Sequence, residues 1–367
     1  QIPTAMSDAV SAGIPREAAG AIQPASPSTH GTVILKLVRI TRQTRDAKTL
    51  RFTLAENRRL AARPGQFLTF SFLFDGKKVI RSYSICSSPA AAGYVEITPK
   101  RMRSGCASVF LNDRATVGMT VEASGPFGRF WLDEAQHKQV VLIAGGSGIT
   151  PMMAMLRHID DYCLSTTVTL LYSVRTTEDI IFRNDLEELR SRLDKFQYHI
   201  LLSQPPAEWP GPKGRLNREF IKSTVSDPAS NYFFICGPGP FMAAACQILS
   251  NLGVAPEKII QESFGSPLPS GSPQDQAIVE TAATVEFVRS EKTHCARQGQ
   301  TLLQAAEQCG VNIPSGCRQG QCGTCKIKLL EGTVSMDVEQ GLPYDLKKQG
   351  YVLTCVGHAK GPVRLDV

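Results

Sequence analysis

Short runs in which hydrophobic and polar residues alternate occupy the first third of the chain. "TVILKLVRITRQTRDAKTLRFTLA", "LTFSFLF", "YVEITPK" and "GMTVEASGP" are rich in β-branched and aromatic residues, and the turn "ARPGQF" separates the first two. Alternation with a period of two predicts β-strands with one buried face. Residues 31–135 are therefore expected to form an antiparallel barrel or sandwich.

The pattern changes after residue 136, where strand-like and helix-like stretches alternate. "QVVLIAGG", "TVTLLYSV", "FQYHILLS" and "NYFFICGPG" are typical of buried strands, whereas "PMMAMLRHID", "DLEELRSRL" and "NREFIKSTV" have helical periodicity. This alternation predicts an α/β domain over residues 136–265 with an open parallel sheet, whose ligands bind beyond the carboxyl ends of the strands.

Two segments have no periodicity and divide the rest of the chain. Residues 1–30 are rich in Ala, Ser, Pro and Gly and lack the features of a secretory signal, so a disordered tail is expected. Residues 266–280 contain "SPLPSGSPQDQ", which predicts an interdomain linker. Residues 281–367 follow as a third unit, with a strand-like "ATVEFVRS", a helix-like "TLLQAAEQCG", a cysteine loop and closing strands.

The cysteine loop is "SGCRQGQCGTC", residues 315–325. Cys317, Cys322 and Cys325 are spaced C-x4-C-x2-C, and 29 residues separate the last of them from Cys355. This is the plant-type ferredoxin spacing for a [2Fe–2S] cluster, and the three glycines of the loop allow its backbone to fold round such a group. The alternatives are buried thiols or a zinc site, although zinc loops usually pair two short C-x2-4-C units.

Two strand–turn–helix stretches suggest a dinucleotide site. "VVLIAGGSGITPMMAML" (140–156) combines a glycine-rich turn with a helix N-terminus that could bind phosphate. It is not the G-x-G-x-x-G pattern, so a purely structural turn is the alternative. "FFICGPGPFM" (233–242) repeats the order and places Cys236 at the carboxyl end of a strand. A small buried residue is the alternative for Cys236.

The basic first unit holds two further candidates. In "RSYSICSSP" (81–89), Arg81 and Tyr83 share one face of a predicted strand, where they could hold a phosphate and a flat ring. In "RSGCASVFL" (103–111), small residues lead into a predicted helix and form a possible phosphate nest. Each stretch taken alone is also compatible with an ordinary strand or turn.

Length, charge and cysteine content narrow the class of protein. A chain of 367 residues is long enough for two or three domains, and no apolar stretch approaches the roughly 20 residues of a membrane span. Residues 31–135 carry 17 Lys/Arg and 8 Asp/Glu, a net +9 that could attract an anionic ligand or an acidic partner. The positive residues are dispersed, which argues against nucleic acid. Eleven scattered cysteines fit a reducing cytoplasm, and Cys295 and Cys309, outside the cluster pattern, are expected to be buried.

In chain order, "RSYS", "GGSGITP", "CGPGPFM" and the four-cysteine pattern resemble the ferredoxin–NADP⁺ reductase superfamily. The resemblance covers residues 32–367 and is to members with a C-terminal plant-type ferredoxin domain, such as oxygenase reductases and the NADH reductase of hybrid-cluster protein. It implies an antiparallel β-barrel flavin domain, an α/β parallel-sheet nicotinamide domain and an α+β ferredoxin domain of the β-grasp type.

The resemblance also implies roles for individual residues. Arg81 would bind the flavin phosphate, Tyr83 would lie beside the isoalloxazine ring, Ser84 near flavin N5, and Cys236 would face the nicotinamide. Tyr83, Ser84 and Cys236 are the expected catalytic residues. Further cofactor-binding residues are expected at Ile97, Thr98, Lys100, Gly105, Cys106, Ala107, Ser108, Gly146, Thr150 and Phe264.

The implied reaction passes electrons from NADH through FAD and a [2Fe–2S] cluster to a partner protein. "GPFGRF" after the pyrophosphate loop favours FAD over FMN. Glu178 and Asp179 would repel a 2′-phosphate, which favours NADH, although Arg175 leaves NADPH open.

The expected partner is a terminal oxygenase of the Rieske type, because the chain has no oxygen-activating or substrate domain of its own. The alternatives are a reductase for hybrid-cluster protein or another acceptor, a redox-sensing module without turnover, and a flavin-only oxidase.

Overall fold

The computed structural model describes residues 32–54, 60–74, 76–103, 105–264 and 283–367. The expected tail and the expected linker lie outside the described residues. Within those ranges, no helix has the length and apolar character needed to cross a membrane.

Six antiparallel strands form the first sheet, in the order β4-β3-β6-β1-β2-β5. They are β1 (Thr32–Arg42), β2 (Lys48–Thr53), β3 (Phe67–Phe74), β4 (Lys77–Ser84), β5 (Tyr94–Ile97) and β6 (Thr120–Phe127), and helix α1 (Cys106–Asp113) lies between β5 and β6. Ile85, directly after β4, bridges to Ile97 in β5, so the two edge strands meet and the sheet closes. Of the two architectures expected, the barrel is the one formed.

The alternation of side chains fills this barrel. Leu35 and Leu37 of β1 are fully buried, and Lys36 between them is exposed. Leu50 and Phe52 of β2 are buried in the same cluster. Period-two patterning thus supplies one apolar face to the interior and one polar face to solvent.

Five parallel strands form the second sheet, in the order β11-β10-β7-β8-β9. They are β7 (Gln139–Gly145), β8 (Thr167–Val174), β9 (Phe196–Leu202), β10 (Tyr232–Cys236) and β11 (Ile259–Glu262). The accompanying helices are α2 (Ile149–Asp161), α3 (Arg183–Arg192), α4 (Arg218–Thr224) and α5 (Gly239–Asn251). The predicted α/β architecture is confirmed.

Both faces of this sheet are covered, which explains why its strands are continuous apolar runs. Val140, Leu142 and Ala144 of β7 belong to one core cluster, whereas Val141 and Ile143 belong to another on the opposite face. The strand order reverses between β7 and β10. In open α/β sheets the ligand crevice lies at that reversal, outside the carboxyl ends of the strands.

The third unit is a mixed sheet with one principal helix. Its strands are β12 (Ala283–Phe287), β13 (Lys292–Ala296), β14 (Lys326–Glu331), β15 (Val334–Met336), β16 (Tyr351–Leu353), β17 (Gly357–Ala359) and β18 (Val363–Leu365), and its helices are α6 (Leu302–Gln308) and α7 (Tyr344–Lys348). The order β13-β12-β18-β14-β16, with β12 and β18 parallel, is that of a β-grasp fold. Helix α6 starts at a capping box formed by Thr301 and Gln304. The predicted α+β class is confirmed.

Candidate functional site

The cysteine loop connects α6 to β14 and is shaped by residues in left-handed backbone conformations. Arg318, Gly320 and Gly323 have φ angles of 55°, 70° and 68°. A Cβ at Gly320 would lie 2.7 Å from the carbonyl oxygen of Val338, and one at Gly323 would collide with the carbonyl of Gly341. These two glycines are therefore required both by their φ angles and by the close approach of the neighbouring chain.

The four predicted ligands come together as two pairs of thiols. Cys317 and Cys322 lie together, since the amide of each donates to the sulfur of the other at 3.3 Å, and Cys325 and Cys355 interact as a second pair. Interaction with the partner thiol lowers the pKa of Cys322 and of Cys325. No three His, Cys, Asp or Glu side chains in the part of the chain that the structure describes converge on one ion position. Two pairs of thiolates suit the two irons of a [2Fe–2S] cluster better than one tetrahedral zinc ion.

Backbone amides of the loop point at these sulfurs. The N–H groups of Gln319 and Cys322 donate to Cys317 Sγ at 3.4 and 3.3 Å, and that of Gly320 donates to Cys355 Sγ at 3.3 Å. Such donors stabilise the negative charge that thiolates carry when they bind metal. The donor set therefore fits an iron–sulfur cluster.

The positions of three cysteines complete the description of the third unit. Cys355 lies in the turn directly after β16. Cys295 is exposed, because it lies on the outer side of the edge strand β13, and Cys309 is only half-buried. The prediction that both of these cysteines are buried was wrong for Cys295.

The cysteine loop contacts the barrel. Cys317 and Cys322 pack with Phe67 of β3 and Phe127 of β6. A Cβ at Gly316 would lie 3.0 Å from the methyl group of Thr69. The side of the loop that carries the first pair of thiols therefore faces the barrel.

The cysteine loop also contacts the parallel-sheet unit. Gln319 Nε2 donates a hydrogen bond to the carbonyl oxygen of Ser263 at 2.9 Å. Ser263 directly follows β11, so one side chain of the loop reaches the crevice end of the parallel sheet. The loop thus touches both other units at once.

The predicted flavin residues of β4 lie together on the barrel surface. Arg81 is exposed, and its Nη1 donates to the carbonyl of the preceding residue, Ile80, at 2.7 Å. Burial raises the pKa of the Tyr83 hydroxyl. The Arg81 cation lowers this pKa, and Cys106 raises it further. These electrostatic effects show that Arg81 and Cys106 both lie close to Tyr83. The structure therefore brings together two stretches that are 25 residues apart in the sequence.

The predicted pyrophosphate loop forms the start of α1. Gly105 is the N-cap residue and no side chain caps the helix. The Ser108 hydroxyl donates to the Gly105 carbonyl at 3.2 Å and accepts from the Met102 amide at 3.1 Å. Ala107 is buried, and Cys106 is exposed. A helix start without a side-chain cap leaves amides available to an anion.

Three further predicted flavin residues follow from β5 onward. Ile97 and Thr98 are buried, and Thr98 accepts or donates a hydrogen bond with Thr49 at 2.9 Å. Lys100 is half-buried and pairs with Asp46 at 3.3 Å. The positive charge of Lys100 is therefore partly neutralised by Asp46, which also belongs to the barrel unit.

The crevice of the parallel sheet is built by backbone packing between two loops. A Cβ at Gly148 would collide with the carbonyl of Cys236, and one at Gly237 would lie 3.0 Å from the Cα of Gly145. Gly146 has a φ of 54°, and the Thr150 hydroxyl donates to the carbonyl of Ser147 at 2.9 Å. Side chains larger than hydrogen would force the two loops apart, so the glycines keep the ends of β7 and β10 together.

Glu262 is a functional candidate that the sequence reasoning missed. It pairs with Cys236 in the register of β10 and β11, and its Oε2 accepts a hydrogen bond from the Ser84 hydroxyl at 3.5 Å. Its Oε1 is buried and has no hydrogen-bond partner among the described residues. Burial raises the pKa of Glu262 to about 8, and burial with the nearby Glu262 charge raises the pKa of the Cys236 thiol. The three residues form a buried cluster between the barrel and the parallel sheet.

The remaining predicted residues lie around this cluster and at the end of β8. Phe264, two residues after Glu262, is 49% exposed. Asp179 is buried, and its carboxylate accepts hydrogen bonds from the amide and the hydroxyl of Thr176. Glu178 is exposed, as is Arg175. Of the two acids expected to repel a 2′-phosphate, only Glu178 is free to face a ligand.

Models of three protein domains match the chain in the expected order. The oxidoreductase FAD-binding domain matches residues 34–131, the oxidoreductase NAD-binding domain 142–247, and the 2Fe-2S iron-sulfur cluster binding domain 286–360. A relative from Chromohalobacter salexigens, the glycine betaine monooxygenase reductase subunit, is 32% identical over 353 residues, which are 92% of this chain and 96% of that protein. This chain belongs to the ferredoxin–NADP⁺ reductase superfamily.

Other relatives of this reductase agree with that assignment. The ferredoxin reductase component of 3-ketosteroid-9-alpha-monooxygenase from Rhodococcus rhodochrous is 32% identical over 342 residues, 89% of this chain and 94% of that protein. Phthalate dioxygenase reductase, a solved structure, covers 92% of this chain and 98% of its own at 24% identity, with a TM-score of 0.58, and so shares the fold. The expected FAD, NAD and [2Fe–2S] cofactors are thus confirmed at the level of the domains.

Proposed function

We propose that this oxidoreductase takes electrons from NADH and passes them through FAD and the [2Fe–2S] cluster to a separate terminal oxygenase. The observation that carries the proposal is the position of the cysteine loop, which packs on the barrel through Cys317 and Cys322 and reaches Ser263 through Gln319. The loop therefore borders both the flavin barrel and the crevice where a nicotinamide would enter. The names of the relatives support an oxygenase as acceptor.

The chain supplies binding and orientation, while the cofactors supply the redox chemistry. A flavin accepts a hydride as two electrons and can release them one at a time. Arg81 and the start of α1 would hold the flavin phosphates, and Tyr83 would pack along its ring. Cys236 and Ser84 would border the position where nicotinamide and flavin meet. These roles assume a flavin-binding unit at residues 31–135, a nicotinamide-binding unit at residues 136–265 and a ferredoxin unit at residues 281–367.

The proposal includes NADH as the donor. Glu178 is exposed after β8, and the neighbouring Thr176 and Thr177 side chains lower the pKa of its carboxyl group, so it is charged at neutral pH. A carboxylate at that end of a parallel sheet accepts the ribose hydroxyls of NADH and repels a 2′-phosphate. The proposal also includes a cytoplasmic location, which the lack of disulfides among the described residues supports.

The proposed function is tested with the purified holoprotein under anaerobic conditions. NADH should bleach the flavin and cluster absorption at least about tenfold faster than NADPH at equal concentration. An oxygenase of the Rieske type should then be reduced only when this reductase is present. A holoprotein that NADH does not reduce would contradict the proposal, and so would rapid reduction of hybrid-cluster protein with none of the oxygenase.

Arg81 provides a separate prediction about flavin retention. Arg81→Gln removes a cation that forms no ion pair with the described residues, so the substitution should weaken flavin binding and leave the fold unchanged. A charge-assisted hydrogen bond contributes about 1.5–3 kcal/mol, which corresponds to roughly 10–100-fold weaker FAD binding. Titration of the apoprotein with FAD measures this constant. Arg114→Gln, at the exposed far end of α1, is the control and should bind FAD normally.

A further inference from the structure

A series of hydrogen bonds runs from the glycine-rich turn of the parallel-sheet unit to the barrel, and it ends at Thr98, one of the predicted flavin residues. It begins at the glycine-rich turn, where the Tyr172 hydroxyl donates to the carbonyl of Gly146 at 3.1 Å. The same hydroxyl accepts from the amide of Ile181 at 3.3 Å. Tyr172 and Ile181 are both fully buried, so neither bond can be exchanged for one to water.

Phe182, the next residue in the sequence, makes the hydrogen bond that joins the parallel-sheet unit to the barrel. It has a φ of 61°, which is unusual for a residue with a side chain, and its amide donates to Gln43 Oε1 at 3.2 Å. Gln43 directly follows β1 of the barrel. Phe182 is thus held in a left-handed conformation by a side chain from the other unit.

Arg157 of α2 holds the same segment from its other side. Its guanidinium lies 5.5 Å from the centroid of the Phe182 ring and donates to Glu96 at 3.0 Å and to Asp185 at 2.5 Å. It also donates to the carbonyl of Cys86 at 2.8 Å. Because Glu96 and Cys86 belong to the barrel, these contacts fix the segment around Phe182 against that unit.

On the barrel side the series of hydrogen bonds ends at Thr49 and Thr98, which form the predicted flavin wall because Thr98 is an expected flavin residue. Gln43 Nε2 donates to Thr49 Oγ1 at 2.9 Å, and this hydroxyl is 2.9 Å from Thr98 Oγ1. Thr49 and Thr98 are each only 4% exposed. The side-chain amide of Gln43 therefore accepts a hydrogen bond from the parallel-sheet unit through its oxygen and donates one within the barrel through its nitrogen.

We propose that Gln43 is a positioning residue that sets the glycine-rich dinucleotide turn relative to the flavin wall. Its single amide group joins the Phe182 backbone to the Thr49–Thr98 pair, so a shift of either unit must break one of its two bonds. The inference rests on the proposed function, since it assumes a nicotinamide in the crevice and a flavin on the barrel. Correct stacking of the two rings depends on the distance that this link fixes.

The test compares Gln43→Ala with Gln197→Ala in the FAD- and cluster-loaded protein. Gln197 Nε2 donates to Thr169 Oγ1 at 3.0 Å, so the control removes the same type of glutamine–threonine bond within one sheet. Stopped-flow bleaching at saturating NADH should be about tenfold slower in Gln43→Ala. The long-wavelength charge-transfer absorption between nicotinamide and flavin should also weaken. Gln197→Ala should match the wild type in both measurements.

Thr49→Val provides a second variant with nearly the same side-chain volume. It breaks the link on the barrel side and leaves the bond between Gln43 and Phe182 in place, so it should show the same slow bleaching and weak charge-transfer band. If Gln43→Ala loses its flavin, this variant decides the outcome.

Three results would overturn the inference. The first is a wild-type bleaching rate in Thr49→Val or in flavin-loaded Gln43→Ala. The second is an unchanged charge-transfer band in either of these variants. The third is a bleaching rate in Gln197→Ala that is reduced as much as in Gln43→Ala. Failure of NADH to reduce the wild-type protein would instead contradict the proposed function, so the two failures are distinguishable.

Discussion

Replacing Cys355 with serine is expected to stop electron transfer through the cluster while NADH still reduces the flavin. Cys355 is 1% exposed and pairs with Cys325, so the substitution removes half of one thiolate pair with only a small decrease in side-chain volume. Replacing a residue that only supports a metal ligand typically lowers activity about 10–100-fold, and losing the ligand itself should lower it more. The rate of cytochrome c reduction should therefore fall by at least about a hundredfold. Ferricyanide, which accepts electrons directly from a flavin, should be reduced at close to the wild-type rate.

The matched control for this experiment is Cys309→Ser in the same unit. Cys309 is half-buried and its thiol donates to the carbonyls of Ala305 and Ala306, so serine can replace it as a donor. Iron content and the electron paramagnetic resonance signal of the reduced protein should be lost in Cys355→Ser and unchanged in Cys309→Ser. A full signal in Cys355→Ser would show that Cys355 is not a cluster ligand.

The second large effect is expected from pH, through Glu262. Burial raises the pKa of this carboxyl group from its ordinary value of 4.5 to about 8, so the group is protonated at neutral pH and ionises above about 8. Ionisation places a negative charge beside Ser84 and Cys236, where transfer of a hydride to a bound flavin would add further negative charge. The rate of flavin reduction by NADH should therefore be flat below pH 8 and fall about tenfold per unit above it.

Glu262→Gln should remove this alkaline decrease, because the amide keeps the shape of the protonated acid and cannot ionise. The rate of flavin bleaching, followed by stopped flow between pH 6 and pH 10, measures the effect. Glu257→Gln, an exposed substitution shortly before β11, should keep the wild-type profile. If Glu262→Gln retains the decrease above pH 8, the group that titrates lies elsewhere.

The sequence determined those features that depend on local pattern. Three of the four cluster cysteines occur within nine residues, and their spacing with Cys355 predicted the cluster because a tight loop must bring the thiolates together. Period-two and helical patterns, together with the continuous apolar runs of the parallel strands, likewise predicted the classes of the three units, because these patterns follow from which faces of each strand or helix are buried. The order of the motifs predicted the family.

Only the tertiary structure decided which distant residues meet. Glu262 was missed because a lone acid at the end of a strand has no distinguishing pattern, and it becomes notable only when the barrel brings Ser84 over it. Closure of the barrel at Ile85 and the exposure of Cys295 on an edge strand depend on strand order, which alternation does not encode. Gln43 bridges the barrel and the parallel-sheet unit because the two pack together there, and contacts between units follow from shape and burial rather than from the local sequence.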